Sequence, residues 1–243
     1  MSLTNQVILI TGAAGGLGST AAKTLAKSGA TIILLDKNIP KLESVYDAII
    51  AANSPEPAIY PFDLAGANEN QYEELATTIA EKYGSLQGLL YSAVEFKAFM
   101  PVATHDTAAW GHTLNVNLNA PFILTRVLLP VFQKSQHASI VFTSDSSARS
   151  AKAYSGAYGV SKIALEGFAH ILAEELESSG KIRVNTLVPG PVDSPIRKRA
   201  YPAEDKTTLP TMESLNDIYH YLFAAESIGL TGQIIDAQTF SLE

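Results

Sequence analysis

The sequence predicts an α/β protein built on one doubly wound parallel sheet, and three observations carry that expectation. Short β-rich runs alternate with longer stretches of helical period along the whole chain. The β-rich runs are apolar nearly throughout, as expected of parallel strands buried on both faces. The separations between them are helix-length crossovers, which parallel strands require and hairpins do not.

Val7–Thr11 is the first such run, and a helical pattern over Gly18–Ser28 leads to the second, Thr31–Asp36. A helix over Pro40–Ala52 precedes the third strand at Ala58–Phe62, and one over Glu69–Tyr83 precedes the fourth at Gly88–Ala93. The long apolar pattern Trp110–Lys134 leads into Ser139–Thr143, and Ala157–Ser178 leads into Arg183–Val188. Gln233–Asp236 is the seventh strand. No repeat or Pro/Gly-rich linker divides the chain, so residues 1–243 read as one domain. The least regular stretch, residues 189–212, carries five prolines and follows the sixth strand, where doubly wound sheets bind ligands. It is the candidate substrate segment.

Composition narrows the partners. Seventeen Lys and Arg against twenty-four Asp and Glu give a net charge of -7, which disfavours a nucleic-acid partner. The absence of cysteine excludes disulfides, thiolate zinc sites and cysteine nucleophiles. His105, His112, His137, His170 and His220 show no metal-ligand spacing, so no metal is expected. The longest uncharged apolar runs look strand-sized, and Met1-Ser2-Leu3 enters a strand without a basic leader, so neither a membrane span nor secretion is expected. The expected location is cytoplasmic.

Directly after the first strand comes Thr11-Gly12-Ala13-Ala14-Gly15-Gly16-Leu17-Gly18. Glycines there let backbone approach a pyrophosphate, and a helix starting at the turn offers unpaired N–H groups with partial positive charge. The second strand ends in Asp36, where a Rossmann-like dinucleotide fold places the acid that binds the adenosine ribose. A carboxylate accepts from ribose hydroxyls and repels a 2′-phosphate, so NAD is expected over NADP, with Lys37 the only local argument for NADP.

Tyr158-Gly159-Val160-Ser161-Lys162 places a phenol and an ammonium one helical turn apart. A neighbouring cation favours phenolate and lowers the Tyr pKa, fitting Tyr158 to exchange a proton with an alcohol or carbonyl oxygen.

Together, TGxxxGxG at residues 11–18 and YxxxK at 158–162 resemble the short-chain dehydrogenase/reductase family, over nearly the full chain. The resemblance implies a nicotinamide-dependent oxidoreductase that interconverts a carbonyl and an alcohol. It gives Tyr158 the general acid/base role, Lys162 the nicotinamide ribose, and Asn117 a water linking Lys162 to solvent. Gly12, Gly16, Leu17 and Gly18 would bind the cofactor with Asp36. Asp63-Leu64 resembles the adenine contact, Ala93 the segment after strand four, and Asn185 with Pro189-Gly190 and Ser194 the segment bordering the nicotinamide. Dimers or tetramers are implied too, consistent with apolar excess on the two longest helical patterns. Phe142-Thr143-Ser144, Tyr201-Pro202-Ala203-Glu204-Asp205 and Asp236-Ala237-Gln238 are similar to a YciK-like bacterial subgroup.

Two positions depart from that family. Thirteen residues before Tyr158, where the family has a Ser that holds the substrate oxygen, stands Asp145. An ionised carboxylate donates no hydrogen bond and raises the pKa of the phenol against the lysine, whereas a desolvated, protonated Asp145 would itself donate. Ser144 and Ser146 flank it, but neighbours in a strand face opposite ways. After strand four, Tyr91-Ser92-Ala93-Val94 replaces Asn-Asn-Ala-Gly, so Val94 narrows the pocket and Tyr91 has to brace the sheet by other contacts. These departures carry the alternative expectation, a catalytically weak or inactive dinucleotide-binding homologue. A methyltransferase leaves Tyr158 and Lys162 without a role. A serine hydrolase using Ser144–Ser147 lacks the GxSxG elbow.

Overall fold

Seven strands form one parallel sheet in the order β3-β2-β1-β4-β5-β6-β7 in the computed structural model, which describes residues 2–241. Met1, part of the N-terminal reading, and the side chain of Ser147, part of the serine cluster, lie outside the described residues. The strands are β1 (Val7–Thr11), β2 (Thr31–Asp36), β3 (Ala58–Pro61), β4 (Gly88–Tyr91), β5 (Ala138–Thr143), β6 (Ile182–Val188) and β7 (Ile234–Asp236). The helices are α1 (Gly16–Lys27), α2 (Ile39–Ala51), α3 (Glu69–Tyr83), α4 (Thr107–Leu114), α5 (Ala120–Phe132), α6 (Ser146–Arg149), α7 (Gly156–Glu177), α8 (Pro195–Ala200) and α9 (Asn216–Phe223). The expected elements are present, with ends moved by one to three residues where caps decide them.

Alternation within the strands divides the core. Ile8 and Ile10 of β1 point to α1, α2 and α9, whereas Leu9 points to α3, α5 and α7. Both faces are therefore covered. The chain winds from β1 outward to β2 and β3, then returns to place β4 on the other side of β1. That reversal opens a crevice at the carboxyl ends of β1 and β4, where doubly wound sheets hold ligands.

The stretch expected as one helix from Trp110 to Lys134 is α4 and α5 joined by a π-helical turn, Asn115–Asn119. The turn bulges the backbone by one residue and leaves the apolar period almost intact, which hides it from periodicity. Thr107–Phe132 also corrects the expectation that no stretch is long and apolar enough to span a membrane: its 26 residues are. Its apolar character is used inside the fold, where α5 packs on α3 and buries Leu124, Leu128 and Phe132.

The irregular stretch after β6 is more ordered than a plain loop. Ser194 caps α8 by accepting from the Arg197 N–H at 3.2 Å. Arg197 then donates to both carboxylate oxygens of Glu204, at 2.7 and 2.5 Å, which folds the segment back on itself.

Candidate active site

The turn after β1 is shaped by contacts that only glycine permits. Gly12 has φ +67°, and a Cβ there would lie 2.7 Å from the Ala93 backbone at the end of β4. A Cβ on Gly18 would meet the Gly12 carbonyl oxygen at 2.2 Å, so this glycine lets α1 sit directly on the turn. Helix α1 opens at Gly16 with Gly15 as N-cap and no capping side chain, and its first turn has no acid. The N–H groups of Gly16, Leu17 and Gly18 are thus the ones left for an anion at the positive end of the helix. A pyrophosphate fits this cradle.

Asp36 ends β2 beside the same turn. Its Oδ2 accepts from the Ala14 N–H at 3.3 Å and its Oδ1 from the Asn38 N–H at 3.0 Å. Lys37 and Lys41, both exposed, line the cleft next to it. Asp63 accepts from the Ala65 N–H at 3.2 Å and shapes the turn after β3, while the Leu64 carbonyl accepts from the buried Tyr72 hydroxyl at 2.9 Å.

The loop after β4 is held by two devices. Thr11 Oγ1 accepts from the Ser92 and Ala93 N–H groups, each at 3.2 Å, which ties this loop to the end of β1. Tyr91, buried among Phe142 and the α3 and α5 side chains, donates its hydroxyl to the Val116 carbonyl at 2.7 Å. The tyrosine that replaces the family asparagine therefore braces the π-helical turn. Asn117 sits on that turn and is fully buried. Its amide donates to the Glu95 carbonyl at 3.0 Å and to Ser161 Oγ at 3.1 Å, and its Oδ1 accepts from the Glu95 N–H at 2.7 Å. Both amide hydrogens are committed, and Asn117 stands outside the cleft lining.

Tyr158 and Lys162 lie near the start of α7, both buried, facing the carboxyl end of β5. The Tyr158 hydroxyl donates to Asp145 Oδ2 at 2.7 Å. Burial, the Asp145 charge and this hydrogen bond hold the phenol well above its ordinary pKa. That overturns the expected lowering by Lys162, whose ammonium lies 5.9 Å from the centre of the phenol ring and donates to the Thr143 carbonyl at 2.7 Å. Burial pulls Lys162 down to about 8, against Asp145 and Glu166, which pull it up. Ser144 supplies no substitute donor, since its hydroxyl points to Glu166 Oε1 at 2.5 Å.

These groups line one cleft of about 580 Å3 that runs from Asp36 and Asp63 past the α1 N-terminus to Tyr158. Its size is that of a small-molecule or cofactor site. Pro189, Gly190 and Ser194 form the opposite rim, where the Pro189 carbonyl accepts from Gln238 Nε2 at 2.7 Å. Asn185 lies inside β6 and binds the Leu230 carbonyl and the Gln233 N–H instead of the cleft.

Sequence reasoning missed the aromatic end of the cleft. Phe96 packs edge-on against Tyr158 with ring centres 5.0 Å apart, Phe99 stands 5.1 Å from Phe96, and Tyr201 stands 5.5 Å from Phe99. Arg197 lies 3.9 Å over the Tyr201 ring, and Arg199 donates to the Phe96 carbonyl at 2.9 Å. The only sequence signal was the irregular 189–212 segment, which supplies Arg197, Arg199 and Tyr201 but says nothing of their partner loop.

Residues 6–205 match the family described as short chain dehydrogenase. The chain belongs to the short-chain dehydrogenase family. It is 37% identical to the uncharacterized oxidoreductase YciK of Escherichia coli, over 97% of this chain and 93% of that one. A short chain dehydrogenase from Shigella flexneri, solved in complex with NADP, superposes with a TM-score of 0.94 at 36% identity, covering 97% of this chain and 98% of that one. One from Escherichia coli in complex with NADPH gives 0.94 at 38%, with the same coverage. As a member of this family the chain is an oxidoreductase with a nicotinamide dinucleotide site. The expected preference for NAD is not supported: both relatives hold the phosphorylated cofactor, and here both Asp36 oxygens are engaged by backbone N–H groups while two lysines stand beside them.

Proposed function

We propose that the chain is an NADP(H)-dependent oxidoreductase that interconverts a carbonyl and an alcohol by hydride transfer, with Tyr158 as general acid/base. The observation that carries this reading is that Tyr158 and the uncapped N-terminus of α1 line the same cleft. The bound dinucleotide supplies or accepts the hydride. The amides of Gly16, Leu17 and Gly18, with Gly12 beneath them, hold its pyrophosphate. Lys37 and Lys41 favour the phosphorylated adenosine ribose next to Asp36, and Asp63-Leu64 borders the adenine. Ala93, Pro189, Gly190 and Ser194 enclose the nicotinamide, with Lys162 on its ribose. Residues 189–212 form the substrate segment of a single dinucleotide-binding domain. Asn117 positions the Glu95–Phe96 loop against Tyr158 and so fixes the substrate end. Phe122 on α5 and Val160, Ile163 and Ile171 on α7 are exposed apolar side chains that suit a homodimer or homotetramer.

A second reading, a dinucleotide binder with weak or no turnover, is favoured by the hydrogen bond that Tyr158 gives to Asp145. Steady-state NADPH oxidation with a panel of aldehydes and ketones, beside NADPH fluorescence titration, separates the two. Turnover that Tyr158→Phe abolishes without loss of NADPH binding supports the first. Tight NADPH binding with no turnover establishes the second.

A further inference from the structure

We propose that the outer end of this cleft is a carboxylate-binding position built on Arg199, so that the carbonyl compound it takes is an oxo acid with a flat apolar body. The proposal rests on the dinucleotide-dependent reading above and adds a substrate class to it.

The segment 189–212 pairs its cations with acids, with one exception. Arg197 is held by both carboxylate oxygens of Glu204, Lys198 by Asp193 at 3.1 Å, and Lys206 by Glu204 at 3.6 Å. Arg199 has no acid partner among the described residues. One of its N–H groups donates to the Phe96 carbonyl at 2.9 Å, and the rest of the guanidinium fork, which lines the cleft, meets no protein acceptor among them. Lys152, on the other side of Tyr201, is a second cation without an acid, its Nζ 3.3 Å from the Tyr201 hydroxyl and 4.9 Å from the centre of the ring. Glu95, which also lines this end, faces His112 at 3.7 Å. The mouth of the cleft therefore has cationic donors left over.

A guanidinium presents its donors in a rigid fork that matches the two oxygens of a carboxylate. Arg199 is exposed at the mouth, and a ligand that covers it takes water away from the pair and strengthens the attraction. Phe96 sets the spacing. Its ring packs on Tyr158 with centres 5.0 Å apart and its carbonyl holds Arg199, so the acid/base group and the guanidinium flank one residue. Phe96, Phe99 and Tyr201 form the edge-to-face wall beside them, against which a flat ring packs. A substrate laid along that wall has its carbonyl at Tyr158 and its carboxylate at Arg199. Nothing in this arrangement draws on Asp145, which stands with Tyr158 at the inner end.

The carboxylate takes no part in the redox step. A hydride from the dihydronicotinamide forms the new C–H bond, and the carbonyl π pair goes to oxygen. That oxygen takes a proton from Tyr158, which regains one from water, and a hydroxy acid and the oxidised nicotinamide leave.

The test compares para-formylbenzoate with its methyl ester, each with saturating NADPH and the full chain. The ester ring is poorer in electrons and intrinsically the better hydride acceptor, so a preference for the acid reads binding. The acid is expected to show a kcat/KM about tenfold above the ester, the size of one hydrogen-bonded charged contact, with the difference in KM. Arg199→Gln keeps an amide donor for the Phe96 carbonyl and removes the charge, so it is expected to bring the acid-to-ester ratio close to one. Arg199→Lys, which keeps the charge and loses the fork, is expected to retain part of the ratio. Calorimetry with para-(hydroxymethyl)benzoate on the NADP+ complex reads the contact without turnover, and there Arg199→Gln is expected to weaken binding about tenfold. An ester turned over as well as the acid, a ratio unmoved by Arg199→Gln, or a benzoate affinity unmoved by it each overturns the proposal alone. An equal loss of NADPH affinity in Arg199→Gln assigns the residue to the cofactor and overturns it too. NADPH binding without turnover of any carbonyl overturns the oxidoreductase reading, while a benzoate affinity that still falls in Arg199→Gln upholds the carboxylate position.

Discussion

Replacing Tyr91 with Phe removes one oxygen atom from the molecule and tests how the active-site loop is braced. The hydroxyl donates to the Val116 carbonyl at 2.7 Å, and both residues are buried. The acceptor lies in the π-helical turn Asn115–Asn119, where the helical hydrogen-bond ladder is offset. Losing the donor forfeits a net hydrogen bond and takes away a buried carbonyl's partner, at a cost of about 1–3 kcal/mol. Because the ring and its packing against Phe142 remain, no large cavity adds to that. In a chain of 243 residues, a loss of about 2 kcal/mol lowers Tm by roughly 4–8 °C. Urea unfolding should show a lower midpoint at unchanged slope. Asn117 shares the turn and holds Glu95, so the substrate KM should rise as well. A Tm within about 1 °C of the parent, together with an unchanged KM, refutes the bracing role of Tyr91.

Lys37→Ala with Lys41→Ala should weaken NADPH binding about tenfold or more and leave NADH nearly unaffected, since only the former carries the 2′-phosphate; equal losses in a fluorescence titration sink the NADP assignment. Burial sets the Lys162 pKa at about 8 against an ordinary 10.5, so its charge is present below pH 8 and lost above, and kcat/KM should fall on that basic limb. Stability moves oppositely: the unfolded chain keeps the proton up to about 10.5, so unfolding takes up a proton between the two values and this lysine's contribution rises with pH there. Lys162→Arg should remove that limb from the pH–rate profile, and a limb that stays in place assigns it to another group. Light scattering should give a mass of two or four times 25.9 kDa, and Phe122→Asp with Ile163→Asp should return it to one chain; a monomer at every concentration removes the oligomer.

The sequence by itself determined what is local. Alternating apolar strands and helical periods require a parallel α/β sheet, because backbone period and burial are properties of neighbouring residues. The glycine turn and the Tyr158–Lys162 pair were legible for the same reason: each is a spacing along the chain, five to eight residues long, that its own backbone converts into geometry. Even the conflict at Asp145 was readable as a charge thirteen residues from a phenol. Tertiary structure decided which groups those side chains touch. Asn117 spends its amide on Glu95 and Ser161 instead of facing the cleft. Tyr91 reaches a carbonyl 25 residues away. Arg199 reaches the Phe96 carbonyl 103 residues away, closing an aromatic wall that no stretch of sequence contains. At the cofactor end, Asp36 reads as a barrier to a 2′-phosphate until the fold shows both its oxygens held by backbone N–H groups beside Lys37 and Lys41. Residue type fixes charge and hydrogen-bonding capacity, but direction and distance come from the packing of the whole sheet, and those decide whether a carboxylate repels a ligand, braces a turn or takes a proton.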